Sequence, residues 1–123
     1  MEGTYNKVKL FSFMEDNLLD IEDFRKLHIR TAKVLECEKI EKSRSLLRLK
    51  VDLGGETKQV VSSIASNYRP EELIGKTIIV ITNLKPATFM GYKSEAMLLA
   101  AENEGSLSLL TTFSDIEPGT EVH

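Results

Sequence analysis

Residues 46–63 read "LLRLKVDLGGETKQVVSS", and they restrict the fold more than any other part of the chain. Leu47, Leu49, Val51 and Leu53 alternate with Arg48, Lys50 and Asp52. This period of two gives one apolar and one charged face, as in a half-buried β-strand. Gly54 and Gly55 follow, and then the run "ETKQVVSS". A Gly-Gly pair between two such runs supplies the positive φ of a two-residue hairpin.

The rest of the chain extends that pattern. Upstream, "HIRTAKVLECEKI" predicts a long strand. Downstream, "TIIVIT", "EAMLLAA" and "SLSLLT" predict three more, the last two joined by a hairpin at "NEGS" around Gly105. The segment "SNYRPEELIGK" interrupts the strands with a short helix. Pro70 suits its first turn, Glu71 and Glu72 complement the positive end of its dipole, and Gly75 stops it. A second short helix is predicted at "DIEDFRKL", with Asp20 as N-cap and Ile21, Phe24 and Leu27 on one face. Residues 1–17 show no sustained period, so residues 1–19 read as an arm or linker remnant. The expected fold is all-β with one or two short helices. The order β-β-β-α-β-β plus a C-terminal hairpin is that of an oligonucleotide-binding (OB) fold, a five-stranded Greek-key barrel.

At 123 residues the chain is the size of one domain. The net charge of −3 conceals a basic middle, about +7 over residues 25–93, between acidic ends of −4 and −6. That asymmetry is either a localised anion-binding face or a mixed, solvated surface. No apolar run approaches the ~20 residues of a membrane span, and no signal-peptide pattern opens the chain. Cys37 is the only cysteine, which fits a reducing cytosol. With His28 and His123 as the only histidines and no Cys-x-x-Cys or His-x-x-His spacing, a zinc site is not expected. Phosphate-loop and dinucleotide motifs are missing, so neither a cofactor nor a catalytic centre is expected. Cys37 reads as a small buried side chain rather than a nucleophile.

Four stretches, "IRTAKVL", "KSRSLLRLKVDLG", "VSSIA" and "NLKPATFMGYKSEAMLLAA", resemble the tRNA-binding domain appended to the C-terminus of many bacterial methionyl-tRNA synthetases. The resemblance covers residues 20–123. It also extends to free-standing tRNA-binding proteins and, through "GYKSE", to secretion-related chaperones of the same fold. It implies non-catalytic, cytoplasmic tRNA binding in support of the synthetase, as its C-terminal domain or a separate β subunit, with the catalytic domain in cis or in trans. It also implies a homodimer built by a C-terminal extension, about residues 103–123. The chain departs from the family pattern where Ala32, Ser63 and Ala96 replace frequent glycines and Thr88 a frequent lysine. Arg44 partly replaces a charge in the first inter-strand loop.

The RNA-binding residues implied by the resemblance begin with Lys85, which Pro86 holds in an extended conformation beside Asn83. Arg30 and Lys33 lie three apart on one strand, so only one faces a groove unless a bulge intervenes; Lys33 is preferred. Lys42 and Arg44 occupy a loop that such barrels use to grip oligonucleotides, or are simply solvated. Lys93 offers charge, and Ser94 a hydroxyl for phosphate or 2′-OH. Tyr92, and less strongly Tyr68, are candidates for base stacking. Met97 is either core packing or an adaptable surface for a base. So few aromatics favour recognition of backbone and shape over sequence.

Overall fold

The computed structural model describes residues 17–123; the arm expected at residues 1–19 therefore lies mostly outside the described residues. Among the described residues, ten strands and two short helices follow in chain order. They are α1 (Ile21–Phe24), β1 (Ile29–Lys39), β2 (Leu47–Asp52), β3 (Thr57–Ser62), α2 (Pro70–Leu73), β4 (Thr77–Ile81), β5 (Ala87–Phe89), β6 (Tyr92–Ser94), β7 (Met97–Leu98), β8 (Ala100–Asn103), β9 (Ser106–Leu109) and β10 (Glu121–Val122). The main sheet runs β3-β2-β1-β4-β7, antiparallel throughout, and curls into a nearly closed five-stranded barrel of the OB type.

The alternation of β2 places Leu47, Leu49 and Val51 in the core, where all three are fully buried. Val34, Val60, Ile78 and Val80 meet them from the neighbouring strands. Each such side chain contributes about 1.5–3 kcal/mol by leaving water. Ala32 and Ala96 are also buried in this cluster, so their methyl groups fill core space. β1 is bent by a bulge between Val34 and Glu36 and pairs with β4 through residues 29–33 and with β2 through residues 33–39.

The barrel's seam lies between β3 and the β6–β7 segment, which form no ladder. Side-chain hydrogen bonds and one backbone bond close it instead. The Ser94 hydroxyl accepts a hydrogen bond from Val61 N (2.9 Å) and donates to Ala96 O (3.0 Å). Glu95 N donates to Gln59 O (2.7 Å), and a Glu95 carboxylate oxygen accepts from Gln59 N (2.8 Å).

The predicted strand "EAMLLAA" divides in two. Met97–Leu98 finishes the barrel, while Ala100–Asn103 pairs with β9 in a separate hairpin. Leu107 and Leu109 of that hairpin pack on the core, and Leu109 N donates to the Tyr68 hydroxyl (3.0 Å). The chain then returns to β1. Ile29 and Arg30 pair with Val122 and Glu121, and buried Thr31 organises the junction. Its hydroxyl donates to Glu117 O (2.8 Å) and accepts from Thr120 N (2.9 Å), while its backbone bonds Gly119 and Thr120. Gly54 and Gly119 meet at this docking point. A Cβ on Gly119 would lie 2.1 Å from Leu53 O, and one on Gly54 would lie 2.5 Å from Pro118 O.

In α2, a Glu72 carboxylate oxygen accepts from Arg69 N (2.7 Å), which caps the helix start. In α1, Asp20 stands at the N-cap without a side-chain capping bond. The predicted face of Ile21, Phe24 and Leu27 remains exposed.

Candidate nucleic-acid interface

The charged face of β2 points away from the core and meets its neighbours in register. Arg48 stands opposite Glu38 and Val61, and Lys50 opposite Glu36 and Gln59. The Arg48 guanidinium donates to Glu38 (2.6 Å) and to Gln59 Oε1 (3.1 Å). It also lies 5.9 Å from the centroid of the Tyr92 ring, within cation–π range. The hydrogen bond to Glu38 raises the Arg48 pKa further, so the cation is permanent. Gln59 Nε2 donates to Lys93 O (2.8 Å), which ties the β5–β6 hairpin down over this face. Lys50, Lys58 and Lys93 then line one shallow groove of about 360 Å³ with Thr57, Gln59 and Glu95. Lys58 also approaches Glu56 at 3.6 Å, an exposed pair of little energetic weight.

The β5–β6 hairpin turns through Met90 (φ 49°) and Gly91 (φ 86°), two successive left-handed residues that suit a two-residue hairpin. Its approach is fixed by Asn83. The side-chain amide of Asn83 accepts from His28 N (2.8 Å) and donates to Lys26 O (2.7 Å). Leu84 and Lys85 follow on the surface. Beneath the hairpin lies a pocket of about 160 Å³, walled by Leu84, Ala87, Phe89 and Met97 over Val61, with Lys85 and Glu95 among its polar lining.

Comparison with known proteins gives this surface a context. The family described as "Putative tRNA binding domain" matches residues 29–121. The chain belongs to that family. The tRNA-binding domain is 55% identical over 108 residues to methionine–tRNA ligase of Thermotoga maritima, covering 88% of this chain and 17% of the ligase. It is 45% identical over 119 residues to the ligase of Caldanaerobacter subterraneus, covering 97% of this chain and 19% of that protein. The chain thus spans less than a fifth of these relatives. Among solved structures it is similar to a MetRS-related protein from Pyrococcus horikoshii, with TM-score 0.83, 36% identity, and 87% and 99% of the two chains covered. It is also similar to chaperone CsaA of Bacillus anthracis, with TM-score 0.79, 31% identity, and coverage of 86% and 99%.

Within the tRNA-binding domain, Lys85, Tyr92, Lys93 and Met97 gather around the hairpin and its two concavities. Met97 is 47% exposed, so it is surface rather than core. Lys42 and Arg44 are exposed in the β1–β2 loop, which Ser43 stiffens by accepting from Ser45 N and Leu46 N. Arg30 and Lys33 line other clefts, against the C-terminal segment. Lys33 faces one with Asp115 and Glu117, and Arg30 one with Gly119 and Glu121. The Ser94 hydroxyl and the Asn83 amide are engaged by the fold itself, and the Tyr68 hydroxyl holds β9. Arg48, Lys50 and Lys58 carry no sequence motif that marks them as a site, although the alternation in β2 puts Arg48 and Lys50 on the polar face.

Burial pushes the Cys37 thiol up to about 11, with Glu38 and Glu71 adding to the effect, so thiolate chemistry is suppressed at neutral pH. Among the described residues, no group of three or more His, Cys, Asp or Glu could hold a metal ion. No described helix is long and apolar enough to cross a membrane.

Proposed function

We propose that this domain binds tRNA without catalysis, reading its backbone and shape, and supports methionyl-tRNA synthetase in the cytoplasm as a C-terminal domain or a separate β subunit. The observation that carries this reading is the groove of Lys50, Lys58 and Lys93 on the outer β2–β3 face, beside Lys85 and under the Tyr92 hairpin. Strands two and three and the adjoining loops are where OB barrels take oligonucleotides. Each lysine that neutralises a phosphate releases counterions, which ties affinity to salt. Anisotropy titrations with bulk tRNA across a salt series provide the test. The expected log–log slope is steep, and Lys85→Ala lowers affinity for all tRNAs alike and reduces the slope by about 1. Flat or undetectable binding at ~50 mM salt sinks the reading.

The domain acts as a homodimer in this proposal. Phe113, Leu110 and Ile116 are exposed apolar residues in the C-terminal segment, and a second copy would remove them from water. Sedimentation should give a dimer for the intact chain and a monomer for Phe113→Asp; a monomeric parent refutes it. The likeness to chaperone CsaA favours a second reading, a free-standing tRNA-binding protein or secretion-related chaperone. Suppression of aggregation of an unfolded client, undiminished by excess tRNA, would favour the chaperone.

A further inference from the structure

The pocket under the β5–β6 hairpin has a more specific use, one that rests on the tRNA-binding reading. Its volume of about 160 Å³ is close to that of apolar cavities of roughly 150 Å³ that take up one benzene ring. It therefore has room for one six-membered ring and excludes a base pair. Leu84, Phe89 and Met97 line it yet stay 41%, 41% and 47% exposed, so these apolar surfaces are left uncovered among the described residues.

The polar surroundings select the occupant. Lys85 stands at this pocket, and the three-lysine groove shares the Glu95 wall with it. An apolar slot between cationic positions matches a base whose two flanking phosphates run past on either side. Lys58 already has Glu56 at 3.6 Å, but an uncharged apolar peptide would offer no anionic partner to Lys50, Lys85 and Lys93. Glu95 supplies the discriminating group. One of its carboxylate oxygens already accepts from Gln59 N, at 2.8 Å. A carboxylate accepts several hydrogen bonds and donates none, so its remaining capacity suits an exocyclic amine and disfavours a carbonyl. Cytosine presents an amine where uracil presents an oxygen.

We propose that the pocket lined by Leu84, Ala87, Phe89, Met97 and Glu95 receives a single unstacked pyrimidine of bound RNA, cytosine in preference to uracil.

The test compares labelled oligocytidylate and oligouridylate of about eight nucleotides, within the span of one OB fold, by anisotropy on the full chain. Oligocytidylate should bind roughly tenfold more tightly. Glu95→Gln keeps an acceptor for Gln59 N but adds a donor, and should bring the two within about twofold. Ala87→Trp, at an exposed strand position, fills the pocket and should remove the preference while tRNA affinity keeps its salt slope. Equal affinities in the parent, or a preference that survives both variants, overturn the proposal. Displacement of oligocytidylate by an equal concentration of uncharged apolar peptide overturns it in favour of a peptide occupant. Binding of tRNA without any base preference sinks this assignment alone, whereas failure to bind tRNA sinks the functional reading first.

Discussion

Glycines in two regions of this domain serve different ends. At Gly54 and Gly119 a side chain has nowhere to go, because each would drive a Cβ into the other segment's backbone. At Gly91 a Cβ would meet nothing within 4 Å, and glycine answers only the φ of 86°. The first pair locks the C-terminal segment against the β2–β3 hairpin. The second lets a hairpin stand clear of the barrel with Phe89, Met90 and Tyr92 exposed. Close approach makes a region rigid; a permissive φ without contacts leaves its surface free for a ligand.

That contrast can be broken experimentally, and the largest effect is expected at the lock. Gly119→Ala adds both a clash with Leu53 O and a strained positive φ, and should cost roughly 3–4 kcal/mol in urea unfolding. A loss under 1 kcal/mol would mean that the segment is not held by this contact. Thr31→Val comes next. It deletes the hydroxyl that joins Glu117 O and Thr120 N inside the junction, with an expected loss of about 2–3 kcal/mol and unchanged tRNA affinity. A large fall in tRNA affinity would show that the lock and the RNA face are not separate. Gly91→Ala should cost only about 1–2 kcal/mol, from φ alone. The smallest change is at Met90, a non-glycine residue at φ 49°. Met90→Asn should stabilise the hairpin by a few tenths of a kcal/mol, because Asn tolerates this conformation better. Destabilisation there would point to a contact of the Met90 side chain that the turn geometry does not require.

The parts of this fold legible in sequence are those with a local period. The β2–β3 hairpin announces itself through four alternating apolar residues and Gly54-Gly55, and α2 through Pro70 and Gly75. The β5–β6 hairpin is not legible in sequence because three-residue strands carry no measurable period, and its turn begins with Met90 rather than Asn or Asp. β10 is shorter still. Ser94 shows why site residues are harder. Its hydroxyl accepts from Val61, 33 residues away, besides donating to nearby Ala96, and only the closed barrel shows that both capacities are engaged. Arg48 reads as a solvated strand residue until the hairpin places Tyr92 beside it. The basic middle of the chain is visible as a count, but the meeting of Lys50, Lys58 and Lys93 in one groove depends on register and on the hairpin above it.

The pairing of β10 with β1 also sets a schedule for synthesis. Thr31 and Thr120 are 89 residues apart, so β1 leaves the ribosome long before its partner exists. At translation rates of 5–20 residues per second the wait is on the order of ten seconds. During that interval the edge of Ile29–Thr31 offers unpaired backbone groups to any other nascent strand. The two-residue strand at Glu121–Val122 is thus a late-arriving shield for this end of β1.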